Sequence, residues 1–248
     1  TAWEDPDRNL SRVAALVEEA ATAGARLVVL PELFATGFSL RADWVAAASP
    51  RVEAAVAELA RRHGVWLVGG WAVAADPRPL NAAALIDPGG REVGRYAKIH
   101  PFTLAGEERA YGAGETLSTF EVEGVRVTPL ICYDLRFPEL FRAAAGATDL
   151  FVLPANWPER RGAAWRTLLA ARAIDAQAWL LGVNRFGVDG HLFKTVTYKL
   201  ELDVFDQEKT GGPLYEAFID WTPSHWFGFA VGMQKFPFVR TEMNSSGS

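Results

Sequence analysis

Residues 125–138 read Val125-Arg126-Val127-Thr128-Pro129-Leu130-Ile131-Cys132-Tyr133-Asp134-Leu135-Arg136-Phe137-Pro138. The run up to Ile131 is apolar and partly β-branched, the pattern of a buried strand. A helix is predicted from Pro138 to about Ala145, with Gly146 as its stop. Cys132 therefore falls where a buried strand gives way to a turn and a helix. In open α/β sheets that carboxyl edge is where sites assemble. N–H groups in the turn and the N-terminus of the following helix favour a thiolate there, and can hold the oxyanion of a tetrahedral intermediate. A lone cysteine after a strand can equally be a small buried hydrophobe, so the rest of the chain has to decide.

The same grammar repeats upstream. Asp5 caps a first helix, Pro6 suits its first turn and Gly24 ends it, with Leu10, Val13, Val17 and Ala20 on one face. Leu27-Val28-Val29-Leu30 then reads as a buried strand. Ser49-Pro50 predicts the start of a second helix, stopped by Gly64, and residues 65–71 form the next strand. Residues 80–86 and 92–96 flank Asp87-Pro88-Gly89-Gly90, a hairpin that makes part of the sheet antiparallel. Downstream, a strand at 150–153, a helix at 162–176 and a strand at 179–183 follow. Strands alternating with helices and interrupted by hairpins indicate a layered α/β protein with mixed sheets, organised as one domain over residues 1–243. Past Gly190 the rhythm fades. Residues 191–240 read as β-rich and aromatic, and the small polar tail 244–248 as disordered.

Three more positions carry chemistry. Glu32 directly follows the strand 27–30, at the same sheet edge as Cys132 if the two strands run parallel. Burial there would raise its pKa and suit it to take the thiol proton. Lys98 ends the strand that begins at Glu92, where a fixed cation can stabilise an oxyanion. Glu107 and Glu108 lie in a Gly-rich loop, 105–114, that lets backbone approach a site closely. Each residue alone is ordinary. Together a thiol, a base and a cation are what acyl transfer requires.

Composition narrows the alternatives. The net charge is −5 with mixed signs and no basic stripe, which argues against nucleic acid. No apolar run is long enough to span a membrane, and residues 1–5 lack the features of a signal peptide. The single cysteine fits a reducing, cytoplasmic setting. One cysteine and four scattered histidines give no zinc site, so neither metal nor organic cofactor is expected.

The chain resembles the nitrilase, or carbon–nitrogen hydrolase, superfamily. The similarity runs in order through Leu30-Pro31-Glu32-Leu33-Phe34, Lys98-Ile99-His100-Pro101-Phe102, Cys132 to Pro138, Pro154-Ala155-Asn156-Trp157-Pro158, the helix Trp165 to Ala173, and Gly182-Val183-Asn184-Arg185. Ala35-Thr36-Gly37-Phe38 and the stretch after Cys132 look most like bacterial omega-amidases, which act on 2-oxoglutaramate and related ω-monoamides of dicarboxylic acids. The resemblance implies a four-layer αββα sandwich, a Glu32–Lys98–Cys132 centre, and a homodimer. It also implies a second glutamate that orients Lys98, matched best by Glu107 with Glu108 as the alternative. The strand that precedes the first helix in the family is missing ahead of Thr1. Residues 191–212 do not match the family pattern, and residues 227–234 interrupt the part that resembles the family's end.

The expected chemistry follows. Glu32 deprotonates Cys132, the sulfur attacks the amide carbon, and Lys98 with the Tyr133 N–H holds the oxyanion. Asn156 and Trp157 line the pocket, Phe34, Phe38 and Phe102 form its apolar wall, and Arg136 is the candidate for an acidic substrate's far end. A nitrilase, an N-carbamoyl hydrolase, or a non-catalytic scaffold on the same fold are the competing readings.

Overall fold

Asp5 caps the first helix by accepting the Arg8 backbone N–H at 3.1 Å. The computed structural model describes residues 1–185 and, beyond them, the backbone of 216–224 and 227–234. In chain order the elements are α1 (Pro6–Thr22), β1 (Leu27–Val29), α2 (Ala42–His63), β2 (Trp66–Val73), β3 (Leu80–Ile86), β4 (Glu92–Ala97), α3 (Glu107–Ala110), β5 (Phe120–Val122), β6 (Val125–Pro129), α4 (Pro138–Ala144), β7 (Leu150–Ala155), α5 (Gly162–Ala176), β8 (Trp179–Asn184), β9 (Glu216–Ser224) and β10 (Phe227–Gln234).

Two mixed sheets result, ordered β1-β2-β3-β4 and β5-β6-β7-β8. In the first, β1 and β2 are parallel and β3 and β4 add as antiparallel neighbours. In the second, β6, β7 and β8 are parallel and β5 is an antiparallel edge. Side chains alternate across a strand, and the core follows that alternation. Val28, Leu67, Trp71 and Ala84 join Val13 and Val17 of α1 and Val52, Val56 and Leu59 of α2. Leu27, Val29, Val68, Leu85 and Tyr96 join Val127, Val152 and Leu181 of the second sheet. That sheet's other face packs on α4 and α5. Phe141 of α4 lies 5.0 Å from Phe151, centroid to centroid. A Cβ at Gly182 would come within 2.8 Å of Leu169 of α5. The layers are helices, sheet, sheet, helices: an αββα sandwich.

The structure adds to the sequence reading and departs from it at several places. Helix α2 begins at Ala42, not at Ser49-Pro50, and Pro50 sits inside it. Ala42 and Val45 gain burial against Leu33, Ala72 and Tyr111, and Ser49 Oγ donates to the Val45 carbonyl at 3.1 Å. That burial outweighs the proline's missing donor. The Gly-rich loop contains a short helix, α3, and β5 is a strand the sequence reading passes over. The β-rich stretch contains β9 and β10, which pair antiparallel with each other. Residues 227–234, which interrupt the resemblance, are thus the ladder partner of β9. The mismatched residues 191–212 and the tail 244–248 lie outside the described residues. Among the described residues no helix is long and apolar enough to cross a membrane.

Candidate active site

Strands β1, β2 and β4 run in one direction in the first sheet, and β6 and β7 are parallel in the second. The site collects at the ends of β1, β4, β6 and β7 and at the start of β3. After β6 the chain turns at Cys132, whose φ is 46°, and enters a 3₁₀ turn over Cys132–Arg136. A non-glycine residue in the left-handed region costs about 1–3 kcal/mol and persists only where its surroundings over-determine it. Buried Asp134 supplies that constraint. It accepts the Ile131 N–H at 3.0 Å, the His100 N–H at 3.0 Å and the Tyr96 hydroxyl at 2.8 Å. The turn bearing the sulfur is thereby tied to the loop that follows Lys98.

Beside the sulfur is a buried charged cluster. Glu32, Asn81 and Lys98 are each 1 % exposed and Glu107 is fully buried. Lys98 Nζ donates to Glu32 Oε1 at 2.7 Å and to Glu107 Oε2 at 2.8 Å. Asn81 Nδ2 donates to Glu32 Oε1 at 2.8 Å and to Glu107 Oε1 at 2.9 Å. Glu107 Oε2 also accepts the Phe102 N–H at 2.5 Å. Glu32 Oε1 is thus doubly held, and Oε2 is buried with no donor in place. Glu107, not Glu108, reaches Lys98.

Burial and charge set the protonation chemistry. Burial pushes the Glu32 carboxyl above its ordinary range; Lys98 opposes that push and Glu107 adds to it. Burial also disfavours the charge on Lys98, but Glu32 and Glu107 outweigh it and hold the ammonium firmly protonated. For Cys132, burial and then the Glu32 charge push the thiol well above its usual value. Lys98 and the Asn156 backbone N–H pull the other way and lose. This direction suits the expected role of Glu32 as the group that takes the thiol proton. The turn's N–H groups and the following helix work against burial beside a carboxylate, and burial is the larger effect.

Cys132 opens into a cavity of about 550 Å³. Its wall includes Phe38, Phe102, Tyr133, Asn156, Trp157 and Arg136, all of them expected from the sequence, and also Arg160 and Arg161, which were not. Phe34 is a correction. It packs between the first sheet and its helices, because the turn after β1 directs it away from the cavity. The Arg136 guanidinium lies 5.0 Å from the Trp157 ring centroid and that of Arg161 lies 5.0 Å from Phe102. Among the described residues none of these three arginines forms a salt bridge, and Arg161 Nε is buried without a partner. Among the described residues no carboxylate lines the wall, and no group of three or more His, Cys, Asp or Glu stands ready for a metal. A thiol, a carboxylate with a free oxygen, an ammonium and an apolar cavity edged by guanidinium groups can carry out acyl transfer on a small acidic molecule.

The family model described as carbon-nitrogen hydrolase matches residues 1–209. The chain belongs to the carbon–nitrogen hydrolase family. This hydrolase is 36 % identical to the omega-amidase YafV of Escherichia coli over 189 residues, covering 76 % of this chain and 72 % of the relative. It is 35 % identical to the 2-oxoglutaramate amidase of Bacillus subtilis over 187 residues, 73 % of this chain and 71 % of that one. Among solved structures it resembles XC1258 from Xanthomonas campestris, a CN-hydrolase superfamily protein with an arsenic adduct in its active site. The TM-score is 0.71 at 35 % identity, covering 77 % of this chain and 74 % of that one. An amidase from Nesterenkonia sp. superposes with a TM-score of 0.66 at 28 % identity, covering 74 % and 72 %.

Asn81 is the site residue that sequence reasoning missed on the hydrolase's first sheet. Its signal is a lone amide at the head of the apolar run Leu80-Asn81-Ala82-Ala83-Ala84-Leu85-Ile86. Arg160 and Arg161 belong to a 3₁₀ turn, Glu159–Arg161, and carried no signal beyond ordinary surface charge.

Proposed function

We propose that the chain is a thiol amidase that hydrolyses the ω-amide of a small dicarboxylic acid, 2-oxoglutaramate or a close relative, to carboxylate and ammonia. The observation that carries this reading is the Glu32–Lys98–Glu107 cluster beside Cys132, opening to a cavity edged by Arg136, Arg160 and Arg161 and, among the described residues, by no acid. A guanidinium edge suits a substrate whose far end is a carboxylate. The similarity to an omega-amidase and a 2-oxoglutaramate amidase supports the same class.

In this proposal Glu32 Oε2 takes the thiol proton as Sγ bonds to the amide carbon. The carbonyl oxygen becomes an oxyanion held by Lys98 Nζ and by the Tyr133 N–H, one of the first N–H groups of the turn and so without a partner inside it. Collapse breaks the C–N bond, and Glu32 passes its proton to the leaving nitrogen, which departs as ammonia. Water then attacks the thioester, Glu32 taking its proton and returning one to the sulfur. Glu107 holds Lys98 in place. Phe38 and Phe102 supply the apolar wall, while Asn156 and Trp157 shape the side nearest the sulfur.

The test is ammonia release from a panel of an ω-amide acid, a neutral amide of equal length, a nitrile and an N-carbamoyl amino acid. The ω-amide acid is expected to have the highest kcat/KM, and Cys132→Ala to lose turnover while staying folded. Faster turnover of the nitrile or carbamoyl compound rejects the substrate class; normal turnover by Cys132→Ala rejects the mechanism. A homodimer and a cytoplasmic location are part of the same proposal. A sedimentation mass equal to one chain at working concentration would count against the dimer.

A further inference from the structure

Asn81 takes no part in the steps above, yet it touches both buried glutamates. Its Nδ2 donates to Glu32 Oε1 at 2.8 Å and to Glu107 Oε1 at 2.9 Å, and its Oδ1 has no partner. Turned over, the amide would set Oδ1 against two carboxylate oxygens, so the geometry fixes its orientation. Its backbone carbonyl accepts the Lys98 N–H at 2.8 Å. One residue therefore grips both carboxylates with its side chain and the main chain of the cation with its own.

The charge balance explains what that grip does. The groups facing Asn81 are Glu32 after β1, Lys98 after β4, Glu107 of α3 and Cys132 after β6. Beside them is Tyr111, whose hydroxyl donates to the Ser39 carbonyl at 2.7 Å. Lys98 is the one cation among these groups, and it serves two carboxylates. The Asn81 amide adds positive potential without a titratable proton. Resting on the thiol-amidase reading, we propose that Asn81 is a positioning residue for the base. It shares Glu32 Oε1 with Lys98, so that Oε2 alone is left to accept the Cys132 proton. It also gives the two carboxylates a second shared donor beside the single ammonium.

The test uses Asn81→Ala and the isosteric Asn81→Asp in the full chain. The first readout is the pH dependence of Cys132 alkylation by iodoacetamide, which needs no substrate. In Asn81→Ala the acid limb is expected to move up by about one pH unit, because a hydrogen bond to the ionised form is what holds a carboxylate down. On the ω-amide, kcat is expected to fall roughly tenfold or more with KM little changed. Asn81→Asp keeps the volume and places a third carboxylate beside the sulfur, so its alkylation is slower than wild type across the range. An unmoved acid limb in folded Asn81→Ala, or a loss equal at every pH, overturns the proposal. If Asn81→Ala does not fold, wild-type alkylation by Asn81→Asp overturns it instead. A shifted limb in a protein that hydrolyses no amide supports the Asn81 role and defeats the substrate reading alone.

Discussion

Lys98→Met removes the cation shared by Glu32 and Glu107 while keeping an unbranched stem in its place. Nζ lies 2.7 Å from one carboxylate and 2.8 Å from the other, and the side chain is 1 % exposed. Deleting one partner of a buried pair costs about 3–5 kcal/mol, because it strands an uncompensated charge. Here two carboxylates are stranded, with only the Asn81 amide left to both, so the upper end of that range is expected. The loss should depend on pH. Glu32 already sits above its ordinary value of 4.5 through burial, with Lys98 opposing the shift. Removing Lys98 raises it further. A carboxyl group with a raised folded pKa contributes stability that is complete below its unfolded pKa and is lost as pH rises through the folded one. The stability deficit of Lys98→Met is therefore largest above the Glu32 titration and shrinks as the pH falls through it. Urea unfolding of both proteins at a series of pH values reads this directly. A deficit that is constant with pH, or that grows toward acid, refutes the reasoning. In turnover, loss of one oxyanion contact costs about 2.7–4 kcal/mol, or roughly 10²–10³ in kcat.

The other predictions are independent of that one. Arg136→Ala and Arg161→Ala are each expected to raise KM for an ω-amide acid about tenfold and to leave a neutral amide of equal length nearly unchanged, since a charge-assisted contact to a distal carboxylate is lost; equal effects on both substrates refute the guanidinium edge. Gly114→Ala would drive its Cβ into the Ala97 carbonyl. Because the Gly114 N–H donates to the Lys98 carbonyl at 2.7 Å, a loss of about 1–3 kcal/mol in urea unfolding should come with a fall in kcat. Asp134→Asn replaces one acceptor oxygen with an amide donor facing the donors at Ile131, His100 and Tyr96, and should cost about 1–3 kcal/mol and slow Cys132 alkylation; unchanged stability refutes the role given to that turn.

What could be read from the sequence was what strand ends dictate. Glu32 and Cys132 each follow an apolar run and Lys98 ends a strand, and strand ends converge at one edge of a layered sheet. The structure brings the three together for that reason. The choice between Glu107 and Glu108 could not be read, because neighbouring residues differ only in the direction they take from α3. Ser49-Pro50 carried a strong local signal for a helix start, and it was overridden by burial of Ala42 and Val45 upstream. Asn81 was hidden because a polar residue at the head of a strand reads as an edge. Arg160 and Arg161 were hidden because their 3₁₀ turn meets the cavity only in three dimensions. The balance of influences on the Cys132 thiol could not be read. The sequence displayed the turn's N–H groups but gave no sign of how completely the sulfur is buried beside a carboxylate.

The central claim is that one sulfur performs the chemistry, and the chain's single cysteine makes it directly testable. Iodoacetamide is titrated into the protein, and at each point the fraction of Cys132 alkylated and the residual ammonia release from an ω-amide acid are measured on the same sample. The account predicts that the two change in strict proportion, with activity gone when one equivalent is bound. Full alkylation of Cys132 with turnover retained would contradict it.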